Sequence, residues 1–200
     1  MPLPSTETLH YTRVAKIFHW LIAAAILFQL ALGWIFDSFS GETKFFLLQL
    51  HKSIGITILL LSLARLGWRF AHHAPPLPGV MPVWEQRAAH IGHFFLYAAM
   101  IGMPLTGWAL VSASPRNIPT ILYGVLPWPN IPVLPTLANK AAVSHFMGGL
   151  HGYGAYLFAA LIVGHVAAAL RHHFFVRDDI LLRMAPHGLT GVLKRLRGEA

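Results

Sequence analysis

The chain has 200 residues, of which 56% are hydrophobic and 11% are charged, so it is too apolar for an ordinary soluble domain. Its formal net charge is +8, but the basic residues stand at the ends of apolar runs, which is typical of membrane topology signals and not of nucleic-acid binding. The sequence contains no cysteine, which excludes disulfides, iron–sulfur clusters and the attachment of c-type haem. Any metal site must therefore rest on the 13 histidines.

Four apolar runs predict four membrane-spanning helices in a single domain of residues 1–200. These helices are expected at residues 14–36, 45–70, 86–111 and 142–175. The segment 112–140 contains six prolines and cannot span, so it is interpreted as an ordered external loop. Residues 176–200 form a basic tail, for which we expect a short helix on the membrane surface.

Lysine and arginine are distributed unequally between the two ends of these helices. Eleven of the 15 lie in or beside the two termini and the connection between the second and third helices, and four lie on the other side. Those four are Lys44, Lys52, Arg116 and Lys140. The positive-inside rule therefore predicts that both termini are cytoplasmic.

Two histidines on the fourth helix, His151 and His165, stand fourteen residues apart in an almost wholly apolar run. On an α-helix this interval rises about 21 Å and returns to within about 40° of the same direction. The two imidazoles therefore share a face, one towards each side of the membrane. Titratable side chains at such depths indicate function by default.

Comparison of depths gives each of these histidines a partner on another helix. His19 on the first helix lies at the depth of His165, and His51 on the second lies at the depth of His151. Facing histidines on neighbouring helices suit bis-imidazole ligation of haem b, so the pattern predicts two such haems. A haem-free proton or metal transporter is the alternative for the same histidines.

Four cations near the membrane faces are candidate partners for haem propionates. They are Lys52, Arg65, Arg69 and Arg171. Each is equally compatible with a role as a positive-inside anchor.

Several short motifs follow one another in a fixed order along the chain. They are Tyr11-Thr12 and Phe18-His19-Trp20 on the first helix, Leu50-His51-Lys52-Ser53-Ile54-Gly55 and Arg65-Leu66 on the second, Pro75-Pro76-Leu77-Pro78 in the connection, His93 with Leu96-Tyr97 and Pro104-Leu105-Thr106-Gly107-Trp108 on the third, and His151, His165, Ala167-Ala168-Ala169-Leu170 and His172-His173 on the fourth. In this order the sequence resembles the bacterial cytochrome b561 family of four-helix, di-haem cytochromes of the inner membrane. The resemblance implies haem ligation by His19, His51, His151 and His165.

The resemblance also implies electron transfer to or from ubiquinone in the lipid bilayer, most specifically by a superoxide:ubiquinone oxidoreductase. Arg116 and Lys140 help to make the external side net positive, which would attract a small anion such as superoxide. Both are also compatible with ordinary loop charges. If the donor is instead a redox partner protein, the chain would be the haem b subunit of a larger dehydrogenase or hydrogenase, with Tyr123 and Trp128 in a docking loop.

Quinone reduction consumes protons and therefore needs a titratable donor near a membrane face. His172 lies two turns beyond His165 on nearly the same face, so we predict that it is this donor. His90 and His93 are predicted to complete the quinone site. Histidines that merely reach towards the membrane interface are the alternative.

Overall fold

The computed structural model describes residues 10–199, apart from the side chain of His187. Its four long helices are α1 (Arg13–Ile35), α2 (Gly41–Ala71), α3 (Val83–Ser112) and α4 (Lys140–Arg171). Each is long and apolar enough to cross a membrane, which confirms the predicted helical fold with four spans, although the predicted all-α class omits one short β-hairpin. Residues 1–9 and Ala200, which the predicted single domain includes, lie outside the described residues.

The helices form a bundle in which α1 packs on α2, α2 on α3, and α3 on α4. Its buried core consists of Ile22, Ile26, Ile58, Met100 and Phe158. Because Phe158 is midway along α4 between His151 and His165, this apolar layer crosses the middle of the bundle. It therefore separates two polar levels, one towards each end.

A small β-hairpin closes one end of the bundle. Strands β1 (Thr120–Leu122) and β2 (Leu126–Trp128) pair antiparallel, with Ile121 opposite Pro127. The hairpin lies against α2, where the Tyr123 N–H donates to Ser53 Oγ at 2.9 Å. The proline-rich segment is thus ordered, as a hairpin fixed to the second helix.

The C-terminal tail closes the opposite end. After α4, a π-helical turn (His172–Val176) leads into two short helices, α5 (Ile180–Met184) and α6 (His187–Leu196). Lys16 Nζ donates to the Ala185 carbonyl at 3.1 Å, and Trp20 Nε1 donates to the Met184 carbonyl at 3.0 Å. The start of α1 and the tail therefore lie together at one end of the bundle, while their cytoplasmic location stays a prediction.

One side of the tail is buried against the bundle, and another side is exposed. The fully buried His173 places Nε2 3.1 Å from the Leu193 carbonyl, which holds α6 to the end of α4. Yet Leu189, Val192 and Leu196 on α6 are all at least half exposed. This apolar stripe has the spacing of a surface-lying helix, so one side of α6 packs on the protein and another is free to meet lipid.

Candidate cofactor sites

The first candidate site joins α2 and α4 near the hairpin. The ring centroids of His51 and His151 are 6.0 Å apart with the planes at 78°, and both side chains are partly buried. We call these two residues the hairpin-side pair. They line a cavity of about 480 Å³ to which all four long helices contribute. Cavities that hold organic cofactors typically have volumes of roughly 300–1,000 Å³.

Two glycines allow these imidazoles to lie against the helix backbones. A Cβ atom on Gly107 would stand 2.9 Å from His151 Cε1, and one on Gly33 would stand 3.2 Å from His51 Cε1. Any larger residue would force the ring at Gly107 to move. The sequence placed Gly107 in a motif but did not indicate that either glycine touches a histidine.

The two rings of the hairpin-side pair differ in their hydrogen bonds. His151 Nδ1 lies 3.0 Å from the Met103 carbonyl and 3.1 Å from Thr106 Oγ1. A carbonyl can only accept, so Nδ1 carries the hydrogen and the Nε2 lone pair is left for a metal. His51 Nδ1 is buried and receives no hydrogen bond from any described residue.

The second candidate site joins α1 and α4 near the tail. The ring centroids of His19 and His165 are 6.3 Å apart with the planes at 64°. We call these two residues the tail-side pair. His19 Nδ1 is also buried without a hydrogen-bond partner among residues 10–199. The structure thus brings together both pairs that the depth comparison predicted, while metal ligation by them stays a prediction.

His93 lies beside the tail-side pair, at the end of the bundle where the quinone site was predicted. Its ring centroid is 5.6 Å from that of His165, and its Nδ1 is 2.8 Å from the Ala89 carbonyl on its own helix. His90, one turn earlier, is exposed on α3. Of the two histidines assigned to the quinone site on α3, His93 is therefore the one that borders a candidate cofactor position.

Two of the predicted propionate partners converge near the tail-side pair. The guanidinium carbon of Arg65 is 5.5 Å from the centre of the Tyr97 ring, and that of Arg69 is 6.0 Å from it. Arg65 is also close enough to act electrostatically on His19 and His165. Both arginines of α2 thus contact one aromatic ring of α3, beside the cofactor position.

The other two predicted partners are engaged by the protein itself. Lys52 borders the hairpin-side cavity, and its Nζ donates to the Pro119 carbonyl at 3.2 Å. Arg171 forms an ion pair with Glu85 at 3.1 Å and remains about half exposed. Arg171 therefore ties the end of α4 to the start of α3.

His172 is flanked by two carboxylates. Its Nδ1 donates to Asp178 Oδ2 at 2.6 Å, and its Nε2 lies 3.7 Å from Glu85 Oε2. All three side chains are only 11–14% exposed. The sequence singled out the imidazole but gave no sign that carboxylates from α3 and the tail would meet it.

A surface groove of about 720 Å³ lies beside the hairpin-side cavity. Arg116 and His145 line it. Leu110 and Gly148 line both the groove and the inner cavity, so the wall between them is thin. Lys140 begins α4 close by but is not part of the groove lining.

Both pairs have the donor set that haem b requires. Within residues 10–199 no group of three or more His, Asp or Glu side chains is placed to hold a free metal ion. A haem iron needs only two protein ligands, one from each side of its ring, and each pair supplies two imidazoles from facing helices. The buried, unpartnered ring nitrogens and the glycines behind the rings fit the same group.

The fold and its paired histidines define a multi-pass membrane protein of the b-type cytochrome class. The family model for prokaryotic cytochrome b561 matches residues 10–187, and the chain belongs to this family. It is 33% identical over 181 residues to cytochrome b561 homolog 2 of Escherichia coli (strain K12), covering 87% of this chain and 90% of that protein. It is 27% identical over 180 residues to cytochrome b561 homolog 1 of the same strain, covering 88% and 97%.

The name of a third relative states an activity. The chain is 27% identical over 173 residues to the probable superoxide oxidase CybB of Yersinia pestis, covering 84% of this chain and 91% of that protein. Membership of the cytochrome b561 family confirms the resemblance seen in the motifs. The chain is thus a multi-pass protein of the bacterial inner membrane that binds b-type haem and takes part in electron transfer.

Proposed function

We propose that this chain carries single electrons from superoxide on the hairpin side to ubiquinone on the tail side. The observation that carries the proposal is the pair of histidine sites, each made by facing helices and both anchored on α4. Haem b bound at each pair supplies a reversible one-electron carrier. Two such positions along one helix divide the membrane into two short electron-transfer distances.

The residues of the hairpin side suit an anionic donor. Arg116 places a cation in the groove whose wall, Leu110 and Gly148, also bounds the cavity of the hairpin-side pair. A positive charge in a concave surface raises the local concentration of small anions. Each superoxide that reaches this wall gives up one electron and leaves as O₂.

The residues of the tail side suit proton delivery. Ubiquinone takes up two electrons and two protons, so two superoxide anions are consumed for each quinone that is reduced. His172 lies between Asp178 and Glu85, which places three exchangeable positions in line at the predicted quinone end. His93, against the ring of His165, is placed to border the quinone and the tail-side pair together.

The test is a superoxide-to-quinone assay on the purified, haem-loaded protein, with the optical spectrum recorded alongside. We expect stoichiometric quinol formation, and we expect Arg116→Gln to slow haem reduction by superoxide severalfold while added salt diminishes the difference. Lys194→Gln, which removes an exposed cation of α6 at the opposite end of the bundle, is the matched control. Haem that superoxide does not reduce in the purified protein would refute superoxide as the donor.

A second candidate function is that of a haem b subunit docked to a separate catalytic subunit. The observation that favours it is the exposed apolar surface of the hairpin segment, where Val125 is 84% and Val133 is 67% exposed. A chain of this kind would reduce quinone only when a partner protein supplies electrons. Val125→Lys would then abolish the association, whereas in the superoxide assay it would have little effect.

A further inference from the structure

The two histidine pairs differ in what holds their outer ring nitrogens. His151 Nδ1 faces two oxygens, the Met103 carbonyl at 3.0 Å and Thr106 Oγ1 at 3.1 Å. His51 Nδ1 of the same pair and His19 Nδ1 of the tail-side pair are both buried, and no described residue hydrogen-bonds either of them. The difference between the two pairs therefore lies in His151.

The hydroxyl of Thr106 has a fixed role in this arrangement. It donates to the Met103 carbonyl at 2.8 Å, because a carbonyl offers no hydrogen of its own. Thr106 Oγ1 must therefore accept from His151 Nδ1–H. An imidazole that donates to such acceptors becomes a more basic ligand and stabilises the oxidised iron.

Charge acts in the opposite sense at the tail side. Arg65 and Arg69 both lie against the Tyr97 ring, at 5.5 and 6.0 Å from its centre, and Arg65 is close enough to His19 and His165 to act on both. A fixed cation stabilises the reduced, less positive iron. On the hairpin side the cavity is lined by one cation, Lys52, and one carboxylate, Asp37, whose charges oppose each other.

We propose that Thr106 and Arg65 are positioning residues that order the two sites, with the hairpin-side pair at the lower reduction potential and the tail-side pair at the higher. This rests on the proposed binding of one haem at each pair. The consequence is a downhill path from the hairpin to the tail, so that an electron which enters from an external donor is drawn towards the quinone end.

The first test is a redox titration of the haem-loaded Thr106→Val variant. The variant keeps the side-chain shape and removes the hydroxyl that accepts from His151. We expect the midpoint potential of the lower-potential wave, that of the hairpin-side haem, to rise. At a fixed potential the ratio of oxidised to reduced haem should change three- to tenfold, and a tenfold change corresponds to 59 mV for one electron. Thr106→Ser should restore the wave.

Thr57→Val is the matched control. Thr57 donates to the Ser53 carbonyl of its own helix at 2.9 Å, as Thr106 does to Met103, but its oxygen meets the Tyr123 hydroxyl and no imidazole. This control should leave both waves unchanged. A shift of equal size in Thr57→Val would mean that the effect is merely structural.

The second test is Arg65→Gln, which should lower the higher-potential wave and leave the other in place. Arg65→Lys keeps the charge and should give a smaller shift, with haem content measured in both. The proposal is overturned if Thr106→Val moves the higher wave, if both substitutions move the same wave, or if neither moves any. These titrations use dithionite and a chemical oxidant, so they do not depend on superoxide or quinone being the substrates.

Discussion

The hairpin-side and tail-side pairs are built from the same two residue types but by different means. His51 and His151 lie in a cavity, pressed against glycines, and one ring donates hydrogen bonds to α3. His19 and His165 lie among a third imidazole and a cluster of arginines. The hairpin-side site is therefore distinguished by close packing and hydrogen bonds, and the tail-side site by nearby positive charge. The two pairs are not equivalent.

The largest expected effect comes from removing one histidine of either pair. His151→Ala should halve the haem content and abolish reduction by superoxide, because the entry site is lost. His165→Ala should also leave one haem per chain, but that haem should still be reduced by superoxide without forming quinol. Haem quantification and stopped-flow spectra test both.

The control for these variants is His72→Ala, since His72 is exposed and stacks on Trp68 at 3.8 Å, away from both pairs. It should retain two haems. Identical behaviour of the His151 and His165 variants towards superoxide would remove the proposed order of the two sites.

A smaller effect should follow from filling the space behind His151. A Cβ on Gly107 would stand 2.9 Å from that ring, and overpacking of this kind costs about 1–3 kcal/mol. Gly107→Ala should therefore weaken haem retention at the hairpin side only, as measured by haem content and thermal unfolding. In Gly102→Ala, on the same helix, the added methyl meets nothing within 4 Å, so we expect equal or slightly higher stability.

The tail-side site should respond to loss of its carboxylates. Glu85→Gln removes the charge that faces His172 Nε2 at 3.7 Å, so quinone reduction should slow about tenfold while superoxide still reduces the haem at the normal rate. The solvent isotope effect on quinol formation should rise. The exposed Glu42→Gln at the start of α2 serves as the control, and an equal loss there would contradict the proton role.

The smallest expected effect concerns the tail itself. Trp20→Phe removes the hydrogen bond to the Met184 carbonyl and should weaken tail docking by about 1 kcal/mol. Trypsin should then cut within residues 177–197 about fivefold faster. Trp34→Phe, an exposed residue that stacks on Tyr156, should not change that rate.

The spans could be predicted from the sequence because apolar length is a local property. The pairing of His19 with His165 and of His51 with His151 followed from depth alone, since histidines at equal depth on spanning helices of one bundle must lie at one level. The hairpin was not predicted, because its strands have three residues each and one of them contains Pro127. Such short strands leave no periodic signal.

The residues that surround the histidines could not be predicted from the sequence, for a different reason. Thr106 is on α3, a helix that contributes no histidine to either pair, and depth says nothing about the direction of its side chain. Glu85 meets His172 across 87 positions of sequence, through a contact set by how α3 and α4 pack. Contacts of this kind depend on helix rotation, which neither periodicity nor charge specifies.

Helix α4 contributes a ligand candidate to both sites, and the fourteen residues between His151 and His165 act as a spacer of fixed length. One inserted residue would turn the second imidazole by about 100° and remove it from its partner. Seven inserted residues would restore the face but add about 10 Å to the gap. With one haem at each pair, as we propose, the distance between the two haems is fixed by this residue count and can change only in steps of whole turns.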